Sequence, residues 1–141
     1  MKVIELKYKD EFRKINKVNE IYLLKDKGIY NDINSKKGKR EISMFFVAEK
    51  EDINKKDYNG LCSKKFYENI IIEGIGFNSV QIGKRIKIGN SIIELSIIGK
   101  KCFNECLLVK ENKKCILTHN VVFGRIIKSG KIKINDFVKI L

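Results

Sequence analysis

Three of the four cysteines and the only histidine fall in one short stretch near the C-terminal end: Cys102, Cys106, Cys115 and His119. A thiolate is both a nucleophile and a soft metal ligand, and neighbouring ammonium groups favour its formation. Lys100 and Lys101 directly precede Cys102, so of the three it is the candidate nucleophile. Cys106 runs into Leu107, Leu108 and Val109, where a cysteine acts as a small buried hydrophobe. A second chemistry is open to the same residues. Cys102-x3-Cys106-x8-Cys115-x3-His119 supplies three thiolates and an imidazole, enough for a closed tetrahedral zinc site, although the tight C-x2-C knuckle is missing.

The elements that must position these groups read as short strands. Lys84–Ile88 and Ser91–Ile98 flank Gly89-Asn90, a strong hairpin signal. Cys102 therefore follows a strand end, on a loop. Further strands are expected over Val3–Tyr8, Glu20–Leu24, Ile70–Ile72, Val80–Ile82, Val121–Lys128, Lys131–Ile134 and Phe137–Leu141. Glu41–Ala48 is an apolar run of strand length, suited to burial on both faces. Ser129-Gly130 reads as a second hairpin turn, Glu11–Asn19 as a short helix or a loop, and Glu105–Glu111 as one or two helical turns. Many short strands between Gly and Asn turns, with no proline, predict a mostly β domain: a closed or nearly closed antiparallel barrel over residues 1–141 with one or two short helices. Ile42, Phe45, Val47, Ile71, Ile86, Ile88, Ile93, Leu95, Ile126 and Val138 are the expected core.

A length of 141 residues suits one core. The N-terminal MKVIELKYKDEF has no continuous apolar segment of the signal-peptide kind, and no run reaches the length of a membrane span. The expectation is a cytoplasmic protein with free or metal-bound thiols in place of a disulfide framework. The formal charge of +13 draws anions, but of the 30 basic residues 26 are lysines, spread over every segment. Base-reading surfaces favour arginine, and along the chain no aromatic residues interleave with the lysines, so nucleic acid is not the expected partner.

Four pieces of sequence carry a family resemblance: Gly28-Ile29-Tyr30-Asn31-Asp32, Arg40-Glu41-Ile42-Ser43, Phe66-Tyr67-Glu68-Asn69-Ile70, and Ile82-Gly83-Lys84-Arg85-Ile86-Lys87-Ile88-Gly89. With Gly99-Lys100-Lys101-Cys102 and the closing Gly130–Asp136 they resemble the MOSC domain, in its short, stand-alone bacterial form. The resemblance implies a β-barrel with a cavity lined by the Glu-Asn segment, the first Asp loop and the cysteine loop. It implies binding of the molybdenum cofactor, transport of sulfur as a persulfide on Cys102, or both, with Cys102 also the candidate molybdenum ligand. At family level it also brings pyridoxal phosphate binding. Asp32, Arg40, Glu68, Asn69, Lys100, Lys101 and Arg125 become the candidate cofactor-binding residues. A cysteine desulfurase-type sulfur donor and molybdenum-cofactor biosynthesis or acceptor enzymes become the expected partners. The alternative is a non-catalytic anion-binding or structural zinc module built on Cys102, Cys106, Cys115 and His119. The chain departs from the family pattern in having Asn31-Asp32 for the usual Gly-Asp, lysines for an arginine before the cysteine, and Asn135-Asp136 at the closing turn.

Overall fold

A computed structural model describes residues 1–33, 38, 41–47, 68–74, 81–98 and 121–141. The described residues form strands and turns, with no helix among them. The strands are β1 (Lys2–Lys9), β2 (Ile15–Val18), β3 (Glu20–Leu24), β4 (Gly28–Ile29), β5 (Ile42–Val47), β6 (Ile70–Glu73), β7 (Arg85–Ile88), β8 (Ser91–Ile98), β9 (Val121–Lys128), β10 (Gly130–Lys133) and β11 (Val138–Ile140). Eight of them make one sheet in the order β11-β7-β8-β9-β5-β6-β1-β2, and three make a second, β10-β3-β4.

The mostly β, mostly antiparallel expectation holds for the described residues, but the strand ladders do not close into a barrel: one sheet of eight strands and one of three are each open. The seam is nevertheless spanned. Lys2 and Phe137 form an antiparallel bridge. Val3 N donates to Asp136 O (2.9 Å), Asn135 N to Val3 O (2.8 Å) and Val138 N to Met1 O (3.0 Å), so the turn before β11 is stitched to the start of β1. Among the described strands only β5 and β6 pair in parallel.

The Gly89-Asn90 hairpin forms as expected, with Ile86 opposite Ile93. Gly89 has φ +57°, and a Cβ there would lie 2.7 Å from Lys131 O, which explains why only glycine serves. Ser129-Gly130 behaves differently. In place of a hairpin it carries the chain from one sheet to the other, and β10 pairs with β3. Ser129 Oγ accepts from Lys25 N (2.8 Å), and a Cβ on Gly130 would meet Ser91 N at 2.7 Å, so the backbones are already in contact at this crossing.

The 11–19 segment is not helical. Asp10 caps the turn, its Oδ1 accepting from Phe12 N and Lys14 N (both 2.9 Å), and β2 then pairs back onto β1. The expected strand at Val80–Ile82 is absent at Gln81 and Ile82, which enter a turn closed by Lys84 N to Gln81 O. Glu105–Glu111 and Val80 lie outside the described residues.

Nine of the ten expected core residues, Ile42, Phe45, Ile71, Ile86, Ile88, Ile93, Leu95, Ile126 and Val138, are buried, and the side chain of Val47 lies outside those described. The main core adds Val3, Leu6, Met44, Ile70, Ile72 and Val122. β5 buries Met44, Phe45 and Phe46 in succession, so this central strand is covered on both faces. In β1 the buried residues are Val3 and Leu6, three apart. A bulge between Val3 and Glu5 accounts for the odd spacing, since it inserts Ile4 against β6.

Candidate functional site

Asn69 leads into β6, next to Ser43 of β5 and Lys7 of β1, and its side chain uses every hydrogen-bonding position it has. Oδ1 accepts from Ser43 N (3.0 Å) and Ser43 Oγ (2.9 Å). Nδ2 donates to Lys7 O (3.1 Å) and to Asp32 Oδ2 (2.8 Å). Its own backbone N donates to Ser43 O (2.9 Å) and Ser43 Oγ (3.1 Å), and its carbonyl accepts from Lys7 N (2.8 Å). A buried amide satisfied in this way fixes the elements it joins, because losing any one bond strands a polar group away from water.

Glu68 is fully buried and forms a salt bridge with Lys7 Nζ, which also lies 3.4 Å from Glu5 Oε1. Two carboxylates thus share one ammonium, and Lys17 Nζ adds a second cation to Glu5 at 3.5 Å. Neutralisation of this kind is what permits a carboxylate at zero exposure.

Asp32 is 8% exposed. Besides Asn69 it accepts from Lys9 N (3.4 Å). Its loop is held down by Ile33 N donating to Lys9 O (2.9 Å) and by Asp32 N donating to Ile29 O (3.1 Å). Asn31 takes φ +68°, a conformation asparagine tolerates better than most residues. In front of Asp32 lies a cavity of about 440 Å³, lined by Tyr8, Asp10, Glu11, Asn31, Asp32 and Ile33. Asn69 backs this wall through its bond to Asp32.

The described wall is therefore a set of carboxylate and amide oxygens, suited to ligand groups that donate N–H or O–H. It offers no cation of its own for a phosphate. The Asp10 carboxyl is held below its ordinary value of 3.8, chiefly by the Asn16 side-chain amide and then by Lys14 N. It is ionised over the whole physiological range.

Of the candidate residues, Asp32, Glu68 and Asn69 come together here. Arg125 does not join them. It is exposed on β9 opposite Glu94, whose carboxylate takes Arg85 Nε at 3.3 Å. Arg40, Lys100, Lys101 and Cys102 lie outside the described residues, as do Cys106, Cys115 and His119.

Two polar residues outside the candidate set have clear roles. Lys7 neutralises Glu68. Glu41 is buried with Oε1 accepting from Gly38 N (3.2 Å) and Oε2 from Ile126 N (2.8 Å), so its carboxylate stands in for a strand partner on β9. A charged residue heading a long apolar run was the available signal for Glu41.

No family model matches the chain, and no curated protein matches it. Solved structures do. The YuaD protein of Bacillus subtilis superposes with a TM-score of 0.67 at 14% identity, over 97% of this chain and 93% of that one. YiiM of Escherichia coli superposes with a TM-score of 0.60 at 15% identity, over 100% of this chain and 70% of that one. YiiM of Geobacillus stearothermophilus gives 0.58 at 12% identity, over 99% and 72%. At these identities the likeness establishes a shared fold.

Proposed function

We propose, from the MOSC-domain fold that this chain shares with YiiM, that it handles the molybdenum cofactor or the sulfur destined for it. In this reading the barrel closes around the cavity, and Asp32, Glu68 and Asn69 belong to one wall of the site while Cys102 carries the chemistry. One observation supports it above the others. Three of the separate sequence pieces that resemble the MOSC pattern meet at the side chain of Asn69, through Asp32, Ser43 and Asn69 itself. Nothing in local sequence requires Gly28–Asp32, Arg40–Ser43 and Phe66–Ile70 to converge, and a site assembled from all three does.

The sulfur chemistry balances without an added oxidant. The Cys102 thiolate attacks the terminal sulfur of a donor persulfide, the donor S–S bond breaks, and the donor leaves as a thiolate. Lys100 and Lys101 favour the thiolate before the step and the persulfide anion after it.

The donor set also fits the cofactor. The oxygens of Asp32 and Asp10 suit the N–H edge of a pterin, Lys100, Lys101 and Arg40 would hold its phosphate, and a thiolate suits a soft metal. When bound, the cofactor supplies a redox-active metal centre.

The test is intact-mass analysis after incubation with a cysteine desulfurase and free cysteine. The expected result is one added sulfur, on Cys102, absent in Cys102→Ser. Sulfur on Cys106 or Cys115, or loss of a bound zinc and unfolding in Cys102→Ser, overturns the assignment.

A further inference from the structure

Away from that cavity, the outer face of the seam places like charges side by side. Lys87 of β7 and Lys139 of β11 are directly opposite each other in the antiparallel ladder. Both are exposed, since their neighbours Ile86, Ile88 and Val138 point into the core. Directly opposed like charges destabilise a strand pair unless an anion lies between them. Some basic side chains elsewhere on the described surface do find carboxylates: Lys17 with Glu5, Lys131 with Glu20, Arg85 with Glu94. Among the described residues no carboxylate lies within ion-pair distance of Lys87, Lys139 or Lys2.

Phe137 stands in the same patch. It is 82% exposed, at the bridge residue just before β11. The bridge that closes the seam sets it opposite Lys2, and it lies two residues before Lys139 on the same face. The register that pairs Val138 with Ile88 brings it beside Gly89, which has no side chain to cover the ring. The result is a depression of about 250 Å³ lined by Lys87, Gly89, Asp136, Phe137 and Lys139. Its single carboxylate, Asp136, has Oδ2 engaged by Lys133 N at 2.9 Å.

We propose that this patch binds a nucleotide unit, its base stacked on Phe137 and its phosphate held by Lys87 and Lys139, with Lys2 at the edge. An exposed aromatic ring among cations is the pattern by which sequence-tolerant sites hold bases and backbone together. The concavity favours this occupant over an anionic bilayer, which a protruding ring would enter. The patch is assembled from three strands, so reading along the chain separates Lys2 and Lys87 from Phe137 and Lys139.

The experiment uses the full chain and a fluorescein-labelled 12-nucleotide oligothymidylate, read by anisotropy across a salt series. Thymidine monophosphate competes in a second arm, and phosphatidylserine vesicles form a third. Phe137→Ala is expected to weaken oligonucleotide binding at least fivefold at every salt concentration. Lys87→Gln/Lys139→Gln is expected to weaken it further and to lower the log–log salt slope by about 1.4, from two lost single-strand phosphate contacts. Lys25→Gln/Lys27→Gln, an equal charge change elsewhere on exposed residues, is expected to leave the slope nearly unchanged. Competition by thymidine monophosphate at the same site identifies a free nucleotide as the source. Binding of the oligonucleotide alone identifies a single strand. The proposal is overturned if Phe137→Ala binds as well as the parent, if the control pair loses as much as the patch pair, or if only vesicles bind.

Discussion

Asn69 Nδ2 donates to Asp32 Oδ2 across 2.8 Å, a buried bond between residues 37 positions apart in the chain. It ties the loop after β4 to the entry of β6, and through Ser43 and Lys7 to β5 and β1. The wall of the larger cavity therefore depends on one amide.

Asn69→Ala removes all four side-chain bonds and leaves Asp32 and Ser43 short of partners. The expected loss is about 1–3 kcal/mol for each buried group left unsatisfied, read as a lower urea midpoint. Asn69→Asp keeps the shape but sets two carboxylates against each other. It should be worse than alanine at pH 7 and recover as the pH falls and one carboxyl takes a proton. A variant pair that shows no such pH crossover means the Asn69–Asp32 bond is not formed in solution.

Leu95 lies in the main core on β8, opposite Gly124 of β9. Leu95→Ala should cost about 2–5 kcal/mol by lost burial plus the cavity left behind. A change under half a kcal/mol in chemical denaturation would place the side chain at the surface and invalidate the register of this ladder.

The strands were legible because their cues are local. The bounds of β3, β8 and β9 coincide with the runs of alternation, and Gly89-Asn90 turns where the pair says it should. What the sequence hid depends on distant partners. Val121–Lys128 and Lys131–Ile134 look like one hairpin, but β10 finds its better partner in β3, and the glycine that suggests a tight turn instead permits contact with Ser91. The bulge at Ile4 and the parallel pairing of β5 with β6 leave no local mark. At the site, Asp32, Glu68 and Asn69 were found through family resemblance. Lys7 was missed because a lysine in an amphipathic strand gives no sign that a buried glutamate lies 61 residues away. Arg125 offers the sequence little beyond its charge, and β9 leaves it exposed opposite Glu94.

Gly124 sits in the middle of β9, where a glycine weakens a strand unless something needs the space. Here Ile93 Cγ2 would lie 2.4 Å from an added Cβ and Met44 Cε 3.0 Å. Both are fully buried, so neither can swing into solvent. Gly124→Ala should therefore destabilise by about 1–3 kcal/mol through overpacking, despite alanine's better intrinsic propensity. Gly124→Ala combined with Ile93→Ala should lose less than the two single losses added together, because the second change removes the Cγ2 methyl that the new Cβ would meet. Additive losses in thermal unfolding of the double variant would show that the crowding lies elsewhere.

Acid stability gives a last test, at the turn that replaced the expected helix. Asp10 is held below its ordinary value of 3.8 by the Asn16 side-chain amide first, and by the backbone N–H groups of Lys14 and Phe12. The unfolded chain therefore binds a proton at Asp10 more readily than the folded one. Stability from this group is complete above about pH 4 and is lost as the pH falls through the lower folded value. Asp10→Asn keeps an acceptor for the turn but cannot ionise. The parent protein should lose urea stability more steeply than Asp10→Asn between pH 4 and pH 2, and the two curves should run parallel from pH 5 to pH 7. Asn16→Ala should fall between them, because it removes the leading cause of the shift and leaves the backbone donors in place. Parallel curves down to pH 2 would mean that the capped turn is not formed in solution and that β2 is not anchored by Asp10.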